Sequence, residues 1–555
     1  MPRQLSFLAV AVCLLAAAMA APVRAEAKDT LVIGVTQFPA TFHPAIESML
    51  AKSYVLAMAR RPLTAYDPDW NLVCLLCTRL PTIDNGLARP ETLPDGRRGI
   101  AVTYTLRADA EWGDGVPVDT GDVLFSWQVG RHPQTGVADA EIYRHIVAID
   151  IKNEKTFTFH FDRLAFDYNA VNDFQILPAH IERDRFERAP AEYRNRTAYD
   201  RDTANPGLWN GPYRIARVVQ GSAVVLERNS HWHGRRPAFD RIVVVAIENT
   251  SALQANLLAG SIDMIAGELG LPLEQAIAFA KNHGDRFRVV FKPSLVYEHI
   301  DLNLDNPYLA DRRVRQALLL ALDRATLCGQ LFGGRQKVAD GPVAPLDPMH
   351  SDDVRQYPYD PAAAGALLDE AGYPLVNGRR VGPDGRPLTL DLVTTAGNRS
   401  RELVAQVLQA DWKRIGIPVR LRYQPPRVFF GQTVTRRKFP AMAMFAWYSA
   451  PANVPRGQLR SSMIPTAGNN WSGQNYGGYA NPRMDALLDA IEVELDPAER
   501  QSLWRALQAL YADDLPALPL YYKADAHIWP KSLKGVTPTG QEDPSTLWVE
   551  DWRWE

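Results

Sequence analysis

Residues 111–127 read EWGDGVPVDTGDVLFSW, and how this stretch is read decides the fold. Asp114, Asp119 and Asp122 stand close together beside Gly113, Gly115 and Gly121. Three readings compete: a cation loop, a catalytic carboxylate pair, or a strand turning into a helix. A calcium loop of the EF-hand kind spaces its oxygen ligands along twelve residues and ends on a bidentate glutamate; these acids do not fit that spacing. Catalytic carboxylates need a shared cleft, which turn and cap positions do not supply. The third reading accounts for every residue. AVTYTLRADAEW (101–112) alternates like a half-buried strand, and WGDG turns the chain. Asp119 then stands at a helix N-cap, with Asp122 three residues on against the N-terminal dipole. Val123, Leu124 and Trp127 make one apolar face. The stretch is scaffold.

Strands and helices alternate outward from it without an internal repeat. LVIGV (31–35) and KTFTFHF (155–161) read as strands. NGPYRIARVV (210–219) and AVVLERN (223–229) read as a hairpin, and FDRIVVVAI (239–247) as a central strand. Thr250 or Ser251 caps a short helix ending at Gly260, and SIDMI (261–265) is the next strand. VYEHIDLNL (296–304) alternates as a strand. Asp311 opens a long helix carrying Val314, Leu318, Ala321 and Leu322, which stops at Gly333-Gly334. Leu403, Val407 and Leu408 form the face of another helix, closed by Gly416. Met484, Leu487, Leu488, Ile491 and Leu495 share a further face. Asp496, Pro497 and Glu499 start a last helix with cap, first-turn proline and capping-box acid, before LPALPLYY (515–522) returns to a strand. This rhythm predicts a mixed α/β protein of two large lobes.

The bulk properties fit. The 555 residues are 46% hydrophobic and 22% charged, with a formal charge of −2. No long basic run points to nucleic acid or an anionic membrane surface. Residues 1–25 have the form of a secretory signal peptide: Arg3, then an apolar run, then small residues. Cleavage is expected after Ala25, with Ala20 as the rival. No other stretch is apolar enough to span a membrane. In the oxidising compartment this implies, Cys74 and Cys77 are expected to form a small disulfide loop. A redox site would open a helix and a metal site would need nearby partners; neither accompanies this C-L-L-C. Cys328 reads as a small core residue. His231 and His233 invite a metal reading, but no third ligand is close. No G-x-S-x-G, H-E-x-x-H or phosphate-binding glycine loop occurs, so no enzyme, cofactor or metal is expected. The arginine-rich stretch 181–201 reads as a solvated surface.

The succession of segments resembles the peptide/nickel class of extracellular solute-binding proteins that serve ABC importers. The resemblance rests on YTLRADAEWGDGVPVDTGDVLFSW, NGPYRI, LERNSHWHGRRPAFDRI, LLAGSIDMI, DRRVRQALLLALDRATL, YDPAAAGALLDEAGY and YANPRMDALLDAI, in that order, from about residue 30 to 530. It implies an α/β fold of the type II periplasmic-binding-protein kind, two lobes joined by a hinge. Lobe one would comprise 26–68, 207–292 and 516–555, with an extra subdomain inserted at 69–206; lobe two would be 293–515. The crossing strands are expected near VYEHIDLN and ALPLYYKA. The implied function is capture of a small solute between the lobes by a monomeric periplasmic protein, and its delivery to a membrane permease. A sensor that reports its ligand to a membrane signalling receptor is the alternative.

In peptide binders of this family, an aspartate after a Gly-Trp segment of lobe two pairs with the ligand's α-amine. The matching stretch here is MFAWYSAPANVPRG (444–457), in which the acid falls near Ala450, and no Asp or Glu occurs between Asp411 and Asp485. The amine clamp is therefore missing or supplied from elsewhere, since an unpaired buried ammonium costs several kcal/mol. The expected ligand contacts are Trp447, Tyr448, Asn453, Arg456, Asn470 and Trp471, with Arg427 or Arg456 for a carboxylate or phosphate. Phe38 and Tyr297 complete the set. Modified peptides, oligosaccharides and opine-like compounds all remain open as ligands.

Overall fold

The computed structural model describes residues 29–555; the expected signal peptide lies outside the described residues. The 111–127 stretch is a strand–turn–helix. A strand over Arg98–Thr105 leads to the turn at Gly115 (φ +87°) and to a helix over Thr120–Arg131. Asp119 accepts the Gly121 and Asp122 amides at 2.7 and 3.3 Å, and Asp122 accepts the Asp119 amide at 3.2 Å in return. Trp112 Nε1 and the Ala179 amide also donate to Asp122, at 2.9 and 2.8 Å. Burial pushes the Asp122 carboxyl up to about 6, against these hydrogen bonds. Asp114 holds the Val116 amide and His180. All three acids serve the fold.

One sheet of ten strands runs through the molecule. In chain order its strands are β1 (Thr30–Val35), β2 (Tyr213–Val219), β3 (Ala223–Arg228), β4 (Arg241–Ala246), β5 (Met264–Ile265), β6 (Phe287–Leu302), β7 (Leu390–Thr395), β8 (Val419–Gln424), β9 (Met442–Tyr448) and β10 (Ala517–Pro530). Their spatial order is β8-β7-β9-β6-β10-β5-β1-β4-β3-β2. β2 and β3 form the expected hairpin, and β1 lies parallel to both β4 and β5. In lobe two, β7 runs parallel to β8 and β9.

β6 and β10 are the crossing strands. At about 3.3 Å per residue, the 16 residues of β6 extend about 50 Å, enough to serve both lobes. Phe287–Pro293 pair with Pro530–Ala524 of β10, beside β5. Val296–Leu302 pair with Tyr448–Met442 of β9. The ladder between β6 and β10 is broken between Pro293 and Tyr297, where β6 passes from one lobe to the other. A break of this kind bends a strand without ending it. The fold is α/β, of the two-lobe type II binding-protein kind.

Four antiparallel strands, Ala88–Thr92, Arg98–Thr105, Thr156–Phe161 and Ile146–Ile151 in spatial order, make a separate sheet. Near it Cys74 and Cys77 are joined in a disulfide with their Cα atoms 5.1 Å apart. Cys328 is free and buried. No helix among the described residues is long and apolar enough to cross a membrane.

Several helices differ from expectation. The helix expected from Asp311 to Gly333 is two, Arg312–Leu320 and Arg324–Phe332. Asp323 caps the second through the Thr326 amide at 2.9 Å. An aspartate bonding its own downstream amides competes with continued helix. Asn249, rather than Thr250 or Ser251, caps the helix Thr250–Leu258. In Arg399–Arg414 the buried stripe is Val404, Leu408 and Trp412, while Val407 is 42% exposed. Leu495 lies beyond the end of Pro482–Val493 and is exposed.

Candidate ligand-binding site

A cavity of about 320 Å³ opens between the lobes at the crossing strands. β9 delivers its aromatic wall. Alternation along the strand places Ala443, Phe445 and Trp447 on one face, while Met442 and Met444 enter the lobe-two core. Trp447 stacks on Tyr476 with centroids 5.8 Å apart and 22° between planes, and Phe445 meets Trp447 edge-on at 5.5 Å. Trp447, Tyr448, Asn453 and Arg456 all line the cavity. Tyr448 donates to Asp525 at 2.8 Å, on the crossing strand β10.

Phe38, Tyr297, Arg427, Asn470 and Trp471 are not among the residues lining it. Phe38 packs against Phe42 in the lobe-one core. Tyr297 is buried and stacks on His299 at 4.6 Å. Arg427 is exposed. Asn470 and Trp471 adopt left-handed backbone (φ +52° and +63°), a conformation costing a side-chain-bearing residue about 1–2 kcal/mol. That turn brings the loop against residues 134–138: Asn470 Nδ2 donates to the Gln134 carbonyl at 2.6 Å, and the Gly473 amide to the Ala138 carbonyl at 3.1 Å. Gln474 reaches Ser48 at 2.6 Å, and Arg456 reaches Asp167 at 2.9 Å. Asn470 thus works in closing the cavity.

Charged groups line the rest. Lys52 is buried and donates to the carbonyls of His43, Pro44 and Ile46 at 2.9–3.1 Å. Arg401 forms a bidentate pair with buried Glu298 at 2.6 and 2.9 Å, and Lys523 stands 3.6 Å from the same carboxylate. Burial alone would raise the Glu298 carboxyl; Arg401 and then Lys523 outweigh it and hold it down at about 2. Glu47, Arg60 and Glu268 line it too, and so do Asp139, Asp173, Glu542 and Asp543. Sequence reasoning named none of the charged lining residues except Arg456. The last four acids sit in loops far apart along the chain and follow no motif. The only trace in the sequence was the missing acid near Ala450, which required one from elsewhere.

Away from the cavity, His231 pairs with Glu111 at 2.8 Å, and burial lowers His233 to about 4. No group of three His, Cys, Asp or Glu suited to a metal occurs among the described residues.

Enclosure between lobes, one aromatic wall and many hydrogen-bonding groups describe a binding site for a small polar molecule. Known proteins share the plan. The chain is 26% identical over 511 residues to the oligopeptide-binding protein AppA of Bacillus subtilis, covering 91% of this chain and 88% of that protein. It superposes on the oligopeptide-binding protein of Thermus thermophilus, complexed with a pentapeptide, with a TM-score of 0.87 and 28% identity. That match covers 95% and 96% of the two chains. The fold also matches AppA in complex with a nonapeptide, with a TM-score of 0.83, 24% identity and 95% and 99% coverage. Residues 82–464 match the model of the bacterial extracellular solute-binding proteins, family 5 middle region, which is more than half of the chain. The chain belongs to the family 5 bacterial extracellular solute-binding proteins.

Proposed function

We propose that this protein is the substrate-binding component of an ABC importer, which captures a peptide-like solute between its lobes and delivers it to a membrane permease. It acts in the periplasm as a monomer, after export by the signal peptide 1–25 and with the lobe and subdomain divisions given above. The observation that carries this reading is the enclosed cavity beneath Trp447 and Tyr476, shut by hydrogen bonds from the 470–474 loop to Gln134, Ala138 and Ser48. Contacts made only when the lobes meet are what lets a ligand favour the closed form. Relatives named for oligopeptide binding, including one complexed with a pentapeptide, support a peptide-like cargo. Trp447 offers a flat face to the ligand, and the amides of Asn453 and Gln474 offer hydrogen bonds to its backbone.

Uptake tests it. Cells lacking this chain should lose accumulation of a radiolabelled tripeptide pool, with wild-type protein restoring it and Trp447→Ala failing to. Undiminished uptake in the deletion strain, together with no binding of the pool by purified protein, would reject the peptide reading.

A further inference from the structure

Residues 162–167 carry two apolar side chains into two different cores. Leu164 is buried with Phe159 and Phe161 of the four-stranded sheet, whereas Phe166 packs against a second core built from Val454, Leu459, Met484 and Trp504. The Phe166 amide donates to the Glu492 carbonyl at 2.9 Å in the helix Pro482–Val493, and the Arg500 guanidinium covers the Phe166 ring at 4.5 Å. Charge crosses this contact in both directions. Arg163 donates to Glu492 at 2.7 Å and stands 3.4 Å from Asp489. In return, Arg456 donates to Asp167 at 2.9 Å, and Arg460 stands 3.5 Å from Glu141. Glu492 is the centre: it is 1% exposed and is also bound by Arg456 and, at 3.2 Å, by Arg460. Single exposed ion pairs contribute little. A carboxylate shielded from water and hydrogen-bonded by three guanidiniums is the arrangement in which a buried pair offsets its desolvation. Arg456 and Arg460 remain with Glu492 if the two cores part, but Arg163, Asp167 and Glu141 then lose their partners across the contact.

We propose that residues 162–167 are a strap that fastens the closed form, with Glu492 as its anchor, so that the chain holds its cavity shut before any ligand adds its own contacts. Arg163 and Asp167 are the fastening groups and Phe166 the apolar peg. The inference rests on the reading of capture between two lobes and is independent of what the cargo is. Two consequences follow from the chemistry of the strap. Closure should loosen in salt, because the screening length falls from about 30 Å at about 0.01 M to about 3 Å at about 1 M. The 470–474 loop, by contrast, closes through neutral hydrogen bonds. Ligand affinity should also depend on side chains outside the cavity lining, such as Arg163 and Asp167, because apparent affinity scales with the fraction of chains in the competent form.

The test is small-angle X-ray scattering of the mature chain without ligand, at about 0.01 M and about 1 M sodium chloride. Wild type should match the closed structure at low salt and gain radius of gyration at high salt. Arg163→Gln and Asp167→Asn each remove one fastening group and should be expanded already at low salt, with circular dichroism showing both folded. Arg163→Lys keeps the charge and should stay compact. Arg188→Gln, at a side chain 81% exposed and outside the strap, should match wild type. Glu492 is kept in every variant, because its loss would leave Arg456 and Arg460 unpaired within the fold. If one fastening variant fails to fold, the other and the wild-type salt series decide. Wild type already expanded at low salt, or equal radii across salt and variants, overturns the strap; so does equal expansion of Arg188→Gln. With a synthetic tripeptide pool, Arg163→Gln should need severalfold more ligand than wild type for the same thermal shift, and an equal requirement counts against the strap. No thermal shift even in wild type rejects the peptide cargo alone, since the scattering uses no ligand.

Discussion

Replacing Arg401 with methionine removes the guanidinium that neutralises Glu298 on the crossing strand β6. Glu298 is 1% exposed, and its two oxygens accept from Arg401 at 2.6 and 2.9 Å. Lys523, at 3.6 Å, is the remaining cation. Two estimates of the cost agree. Breaking a buried pair from one side costs about 3–5 kcal/mol. The Glu298 carboxyl lies at about 2 in the folded protein, against 4.5 for the free group. At 1.36 kcal/mol per unit, that is about 3 kcal/mol of stability at neutral pH. The sign follows from the depressed value: this stability is fully present above about 4.5 and is lost as pH falls toward 2. Urea unfolding should therefore find Arg401→Met less stable by about 3 kcal/mol at pH 7, with the gap narrowing between pH 5 and 3. The double variant Glu298→Gln with Arg401→Met should recover most of the loss. A pH-independent difference, or a double variant no better than the single, would refute the reasoning.

Trp447→Ala should weaken ligand binding roughly tenfold, about 1.4 kcal/mol, whereas Arg427→Ala, outside the cavity, should leave the affinity unchanged; calorimetry distinguishes the two. Asp119→Ala should cost about 1 kcal/mol of stability through its lost helix cap, read by thermal unfolding, and should leave binding intact. Mature protein denatured without reductant should resist alkylation at Cys74 and Cys77. Replacing both by alanine should cost no more than about 2 kcal/mol, because the loop they close is very short.

The sequence made visible whatever depends on near neighbours. The capping box of Asp119 and Asp122, the hairpin β2–β3 and the left-handed stop at Gly333 are each set by residues a few positions apart. The break at Asp323 was not visible, because the apolar spacing runs through it and only the competing cap divides the helix. The stripe of Arg399–Arg414 was placed off by its neighbours: Val407 is apolar yet faces out, while Val404 and Trp412 face in. For the site, the resemblance of 444–457 to the family's Gly-Trp segment was enough to name Trp447 and Tyr448, which line the cavity. It could not name Asp139, Asp173 and Glu542, because only the tertiary fold makes these distant loop residues neighbours. Asn470 stands away from the cavity lining, its left-handed turn held by local hydrogen bonds and its Nδ2 donating to the Gln134 carbonyl.

The central claim is that a peptide-like ligand occupies the cavity beneath Trp447. Native mass spectrometry of the mature protein, purified from periplasm without denaturation, tests it most directly. A peptide-like cargo predicts a mass excess that is released on unfolding, identifies as a short peptide or peptide derivative, and is lost from Trp447→Ala. A released molecule without peptide character, or a peptide retained in full by Trp447→Ala, would contradict it.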